Sequence, residues 1–307
     1  MTCDSVWAVI TLIAMSTTTS GGGAPTTARE AIRTSGHSQR HVAAMMRIDE
    51  TKLSKSLSGA RRFTDDELVD LARITGVTVS DLLGATGQLA AVSVTPPDAS
   101  SAGPAPSSPE QARRHREIVG AAWGLFAQKG FDAVRISDIA AAGGVSSATV
   151  HYYFPTKPDL FSAALSHSVK LAHDRQIARL SGVEDPVERL WKLLEMQSPQ
   201  GEAGRLDWSI WIQTWNRVAL DGGTDQEYVD TYRRWSETVR GAITAGQAAD
   251  VVRSGSSEVM ADELTSLVDG LGIKVLTGVL GEETMQRRLI DHLQRHILSP
   301  GVTVPRV

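Results

Sequence analysis

Five tryptophans cluster in the second half of this chain, Trp191, Trp208, Trp211, Trp215 and Trp235, and they are the side chains best suited to bind something. Trp208, Trp211 and Trp215 fall at i, i+3 and i+7, which is one face of a helix. Ring faces gathered in this way can wall a pocket and hold a cation, with Asp207 or Glu195 as counter-charge. A tryptophan stripe at helical spacing is also what a packed core looks like, and the sequence leaves both readings open.

A second set of polar side chains sits upstream, between Lys129 and Phe161, in KGFDAVRISDIAAAGGVSSATVHYYFPTKPDLF. Ile136, Ile139 and Ala140 form a short apolar stripe at helical spacing. Gly143-Gly144 supplies the turn, and Ser146 stands at the N-cap position of a second short helix. In that helix Val145 and Val150 face inward, which leaves Ser147, Ala148, Thr149, His151 and Tyr152 outward. Small residues let a backbone approach base edges, while hydroxyls and aromatic tips reach phosphates and bases. Lys157 follows at the start of the next helix, well placed for a phosphate. The layout is that of a helix-turn-helix, in which one helix braces on the DNA backbone and the next lies in the major groove.

The elements that must position these residues are helical. The 307-residue chain is long enough for two or three domains. It is 41% hydrophobic and 21% charged, with a net charge of −4, which excludes a wholly basic nucleic-acid coat protein. Charge is uneven: Glu110 to Arg175 carries eight Lys/Arg and six Asp/Glu, and Gln176 to the end carries 14 and 19. Mildly basic reading elements on an acidic body fit a surface that meets DNA over part of its area. The single cysteine, Cys3, excludes a disulfide framework or a cysteine zinc site. Val6–Met15 is apolar but about half a membrane span, and it lacks a basic leader, so no membrane partner and a cytoplasmic location are expected. His37/His41 and His292/His296 have i, i+4 spacing, yet no third ligand is forced nearby, so no metal and no cofactor are expected. With no nucleophile elbow, Walker loop or dinucleotide fingerprint, no enzyme is expected.

The stretch from Arg113–Gln128 through Gly130-Phe131, Asp138-Ile139-Ala140, Gly144-Val145-Ser146, Thr149, Tyr153-Phe154, Lys157 and Leu160 resembles the DNA-binding domain of the TetR family of transcriptional repressors. The resemblance implies DNA contacts from Arg135, Ser146, Ser147, Ala148, Thr149, His151, Tyr152, Tyr153 and Lys157. Arg135 and His151 depart from the family's usual Thr and Tyr. Downstream, WSIWIQTW and ELTSLVDGLGIKVLTG resemble members related to the choline-responsive regulator BetI. That implies a ligand-binding and dimerisation domain, with ligand contacts from Trp191, Trp208, Trp211 and Trp215, and helices near 225–248 and 257–280 pairing between two subunits.

An earlier block, through SQRHVAAMM, IDETKLSKSLSG and DELVDLARITGVTVSDLL, resembles the Cro/XRE-type repressor head. It carries capping signals at Ser38, Asp49 and Thr64…Glu67. On that resemblance Gln39 braces a phosphate, Glu50, Thr51, Lys52, Ser54 and Lys55 present from the recognition helix, and Arg61 sits near the DNA backbone. Arg47 stands where that family usually has the turn glycine, at a cost of about 1 kcal/mol if the turn is left-handed.

The reading is therefore an all-α protein: a disordered tail (1–26), a Cro/XRE-type helix-turn-helix domain (27–84), a flexible linker (85–108), a TetR-type three-helix DNA-binding domain (109–157) and a helical ligand-binding and dimerisation domain (158–300). The expected partners are double-stranded operator DNA, a second copy of the chain and an unidentified small-molecule effector. The N-terminal head is expected either to read DNA from its linker, whose span is on the order of 27 Å, or to dock a protein.

Overall fold

The computed structural model describes residues 23–84, 106–221 and 226–305. The apolar run Val6–Met15 and most of the expected linker lie outside the described residues. Within them every element is helical apart from one isolated antiparallel bridge, Val252 to Leu298. Among the described residues no helix is long and apolar enough to cross a membrane.

The N-terminal block comprises α1 (Gly23–Ser35), α2 (Gln39–Met45), α3 (Glu50–Leu57), α4 (Asp65–Thr75) and α5 (Val79–Leu83). Its helices start where the sequence provides caps. Ser38 accepts from the His41 amide at 3.2 Å and Asp49 from the Thr51 amide at 2.7 Å. Thr64 and Glu67 satisfy each other's backbone amides as a capping box. Val42, Leu53, Leu71 and Leu82 fill the core of the block. Arg47 adopts φ +54°, so the left-handed turn between α2 and α3 is kept despite the missing glycine.

Next come α6 (Pro109–Lys129), α7 (Ile136–Ala142) and α8 (Ser147–Tyr153), around a core that includes Ile118, Phe126, Ile139, Val150 and Phe154. Phe126 meets Phe161 edge to face at 5.3 Å between ring centroids. The long helix α9 (Lys157–Leu180) contributes its first half to that core and continues into the body. The body adds α10 (Pro186–Met196), α11 (Gly201–Asp221), α12 (Gln226–Ala248), α13 (Ser257–Leu276) and α14 (Glu282–His292), closed by a π-helical turn at Leu293–Ile297.

One packing detail fixes the body. Where α13 crosses α11, a Cβ added at Gly272 would lie 2.1 Å from the Trp208 ring. The indole occupies the room a side chain would need. The N-terminal block, expected as a tethered head, is instead seated on α9: Ile177 and Ala178 of that helix are buried in the block's own core.

Gly272→Ala is expected to force the Trp208 ring out of place and to lower stability by about 1–3 kcal/mol, the usual range for overpacking a core. Urea unfolding followed by tryptophan fluorescence measures this.

Candidate DNA-reading helix and aromatic pocket

The helix-turn-helix is built as its sequence suggests. Asp138 accepts from the Arg135 amide at 2.9 Å, so the acid at the third helical position caps α7 where Arg135 offers no hydroxyl. Gly144 turns the chain with φ +62°. Ser146 accepts from the Thr149 amide at 3.1 Å and starts α8. Along α8, Ser147, Ala148, His151 and Tyr152 are exposed and Thr149 is partly so; Ser146 and Arg135 are exposed beside them. Tyr152 is 54% exposed, an unusual degree for a large aromatic on a folded surface.

Tyr153 is a correction to the sequence reading. It lies three residues after the buried Val150, on the same inward face, and its ring packs edge-on against His115 at 5.9 Å. Its side chain therefore belongs to the core rather than to the outward set. Lys157 is shared: its ammonium sits 4.3 Å from the Phe131 ring centroid.

In the N-terminal block, Gln39, Glu50, Thr51, Lys52, Ser54 and Lys55 are all exposed. Lys52 reaches the buried Glu67 at 3.0 Å, and Arg61 also pairs with Glu67. Arg61 is thus engaged within the block, which the sequence did not indicate. Burial works against the charged form of Glu67, but the Thr64 amide, Arg61 and Lys52 together hold its carboxyl below the ordinary value.

The second site is a cavity of about 340 Å³ between α9, α10, α11, α12 and α13. That volume suits a small ligand. Trp208, Trp211 and Trp215 all line it, so the i, i+3, i+7 stripe is both wall and packing surface. Trp208 and Trp215 meet edge to face at 5.9 Å, and the Trp208 indole donates to the Gln197 carbonyl at 2.9 Å. Trp191 is a correction: it is 3% exposed and packed among Leu190, Leu193 and Leu194 of α10, outside the lining.

Trp235 lines the cavity as well, and three polar lining residues were missed from sequence: Tyr232, Asp269 and Arg175. The Tyr232 hydroxyl donates to Asp269 at 2.6 Å. Burial raises the Asp269 carboxyl above its ordinary value and the Tyr232 bond opposes this in part. Among the described residues no basic side chain pairs with Asp269. Asp207, one of the two expected counter-charges, is different: it pairs with Arg175 and accepts from Ser168 at 3.1 Å. Burial still raises its carboxyl, against both of those partners. Glu195 also lines the cavity. One signal could have found Asp269: an acid between the apolar positions Val268 and Leu271 on an otherwise buried helix face.

The pocket helix has a second face. Ile210 of α11 is fully buried in the core of the DNA-reading unit. Gln213 accepts from the Phe131 amide at 2.7 Å and donates to the Phe126 carbonyl at 3.0 Å. Arg217 stacks over the Phe131 ring at 4.4 Å. Its tryptophans thus face the cavity while Ile210, Gln213 and Arg217 face the DNA-reading unit.

A helix-turn-helix unit joined to a helical domain with an internal aromatic pocket defines a DNA-binding regulator. Comparison with known proteins gives the family. Residues 118–164 match the family model of bacterial regulatory proteins of the tetR family, and residues 186–298 match that of the BetI-type transcriptional repressor C-terminal domain. The chain is 24% identical over 190 residues to the HTH-type transcriptional regulator BetI of Rhizobium meliloti (strain 1021), covering 61% of this chain and 91% of that one. A solved structure of a Saccharomonospora viridis protein in complex with choline is 40% identical, with TM-score 0.58, over 61% of this chain and 99% of that one. A TetR-family structure from Rhodococcus sp., 22% identical with TM-score 0.52 over 58% and 95% of the two chains, agrees in fold. The chain belongs to the TetR family of transcriptional regulators, with a BetI-type C-terminal domain; the proteins it matches are regulators rather than enzymes.

If Asp269 supplies the negative charge of the pocket, cation binding requires its ionised form. The raised carboxyl then makes affinity for a cation fall on acidification, beginning above the ordinary aspartate value of about 3.9. Tryptophan-quenching titrations with a simple organic cation, tetramethylammonium, at a series of pH values below 7 are expected to show a difference, with weaker binding as the pH falls. Asp269→Asn is expected to reduce that difference.

Proposed function

We propose that this regulator is a ligand-released repressor that works as a homodimer. On this reading α8 lies in the major groove, and Ser147, Ala148, Thr149, His151 and Tyr152 meet the bases and backbone, with Arg135 and Lys157 on phosphates. Two copies pair through α12 and α13, of which α13 exposes the apolar Val259 and Ile273. Half-sites then lie about one helical turn, ~34 Å, apart or a multiple of it.

The effector we propose is a small quaternary ammonium cation of the choline class. Support comes from the lining: four indoles, two tyrosines near the wall and one desolvated carboxylate that has no basic partner among the described residues. Ring faces attract a cation that carries no hydrogen-bond donors, and the carboxylate balances its charge. The choline complex of the Saccharomonospora viridis protein supports the same class.

The observation that carries the reading is the two-faced α11. A ligand pressing on Trp208, Trp211 and Trp215 moves the helix that holds Gln213 and Arg217 against the DNA-reading unit. Each Gln213 bond contributes about 0.5–1.5 kcal/mol, and a buried group left unpaired costs about 1–3 kcal/mol. Coupling between sites is typically 1–3 kcal/mol, so two or three such contacts suffice.

The test is selection of operator DNA from a random pool by the full chain. Saturating choline is expected to weaken binding to the selected DNA at least tenfold. Thr149→Ala and Tyr152→Ala are expected to weaken it in the absence of choline, and Asp269→Asn is expected to blunt the choline effect. Unchanged DNA binding with choline bound would remove the ligand-release reading.

We also propose that the N-terminal block is a second DNA-reading head, presenting α3. Its exposed Lys55 and Ser54 support this. Lys55→Ala is expected to lower the salt slope of DNA binding by about 1, as for a lost phosphate contact. An unchanged slope favours the alternative, a protein-docking module.

A further inference from the structure

The contact between the N-terminal block and the rest of the chain is specific. Asp174 of α9 has a side chain that is 0% exposed. One of its oxygens accepts from the Val79 amide of the block at 2.9 Å, across 95 residues of sequence. The other accepts from Lys170 at 2.6 Å, and the same ammonium donates to the Val77 carbonyl at 2.7 Å. A buried acid and its lysine therefore satisfy backbone groups of a different helical unit. Burying a charge is costly unless it is paired and hydrogen-bonded; the Lys170–Asp174 pair lies within α9, and the remaining bonds, to the Val79 amide and the Val77 carbonyl, form only when the block is seated.

The seat extends to the DNA-reading unit. Arg116 of α6 lays its guanidinium over Gly76, where an added Cβ would lie 2.8 Å from Nη1. Burial holds the Arg116 pKa below its ordinary value. Arg179 of α9 reaches Asp66 of the block at 3.5 Å and also lines the aromatic cavity. The block thus touches α6, the first helix of the DNA-reading unit, and the stretch of α9 that lines the pocket.

We propose that the N-terminal block is an intramolecular brace: seated on Asp174 and Lys170, it holds α6 and α9 at the angle that favours DNA, and release of the block lowers DNA affinity. Lys170 and Asp174 are positioning residues in this device. Because Arg179 belongs to both the block contact and the cavity wall, pocket occupancy bears on the same contact. This deepens the regulator reading and rests on it. It differs from a second head on a free linker, because the affinity it adds comes from fixed geometry.

The test uses the full chain and the DNA it selects. The Val79 amide is expected to be protected from hydrogen exchange in the wild type. Asp174→Ala is expected to speed that exchange at least tenfold and to weaken operator binding at least tenfold. Lys170→Met should act in the same direction. Glu188→Gln, in the Glu188–Lys192 pair along α10, is the control and should leave both unchanged. Should Asp174→Ala fail to fold, Arg179→Gln at the rim of the same contact is expected to weaken DNA binding two- to fivefold. Faster Val79 exchange with operator affinity within twofold of wild type overturns the brace and leaves the regulator reading intact. A wild-type Val79 amide that exchanges as fast as an unstructured one overturns it as well. Selection of no DNA by the wild type overturns the regulator reading and the brace with it.

Discussion

A single side-chain amide holds the two working parts of this protein in register. Gln213 sits on the pocket helix α11, and both ends of its amide are spent on the backbone around the end of α6. The Phe126 carbonyl and the Phe131 amide flank the turn at which α6 stops. Backbone groups at a helix end have no partner within the helix and must find one elsewhere. The Phe126 carbonyl already takes the Gly130 amide that closes α6; for the Phe131 amide, a side chain from another domain supplies the partner. Shifting the DNA-reading unit against α11 therefore leaves the half-buried Phe131 amide and the Gln213 carbonyl oxygen unpaired, at about 1–3 kcal/mol each.

That constraint gives the rest of the body its arrangement. α11 must present tryptophans to one side and Ile210, Gln213 and Arg217 to the other, so it carries apolar or long side chains around much of its circumference. Such a helix is stable only when enclosed. α9 and α6 close one side and α13 the other, where Gly272 lets the Trp208 ring approach. The remaining volume is the cavity. A pocket with the DNA-reading unit on its far wall follows from the packing of one helix.

Much of this was legible in the sequence, and what was not has physical reasons. Helix starts at Ser38, Asp49, Thr64 and Ser146 were readable because a cap is a local event, settled within three residues. The Trp208–Trp211–Trp215 stripe gave the pocket wall, though not the choice between wall and core; both turned out to apply to the same rings. Trp191 was misplaced because residue type suggested a role, and Tyr153 because the family resemblance did; in both the helical phase that decides the facing was overruled. Asp269 and Arg175 escaped because their significance depends on partners 37 and 32 residues away. The seat of the N-terminal block escaped for the same reason on a larger scale, since nothing local to Asp174 announces a bond to Val79. Such long-range contacts decide whether two domains are beads on a string or one body.

Gly272 has a consequence for ligand size. The cavity floor is the Trp208 ring, and the depth at which that ring lies is fixed by the absence of a methyl group on the opposing helix. The smallest residue in the chain is thus a gauge for the molecules the pocket accepts. Shaving the ring deepens the chamber, whereas adding a carbon behind it makes it shallower. Reshaping the chamber would begin behind the aromatic wall, at a residue that is not itself part of the lining.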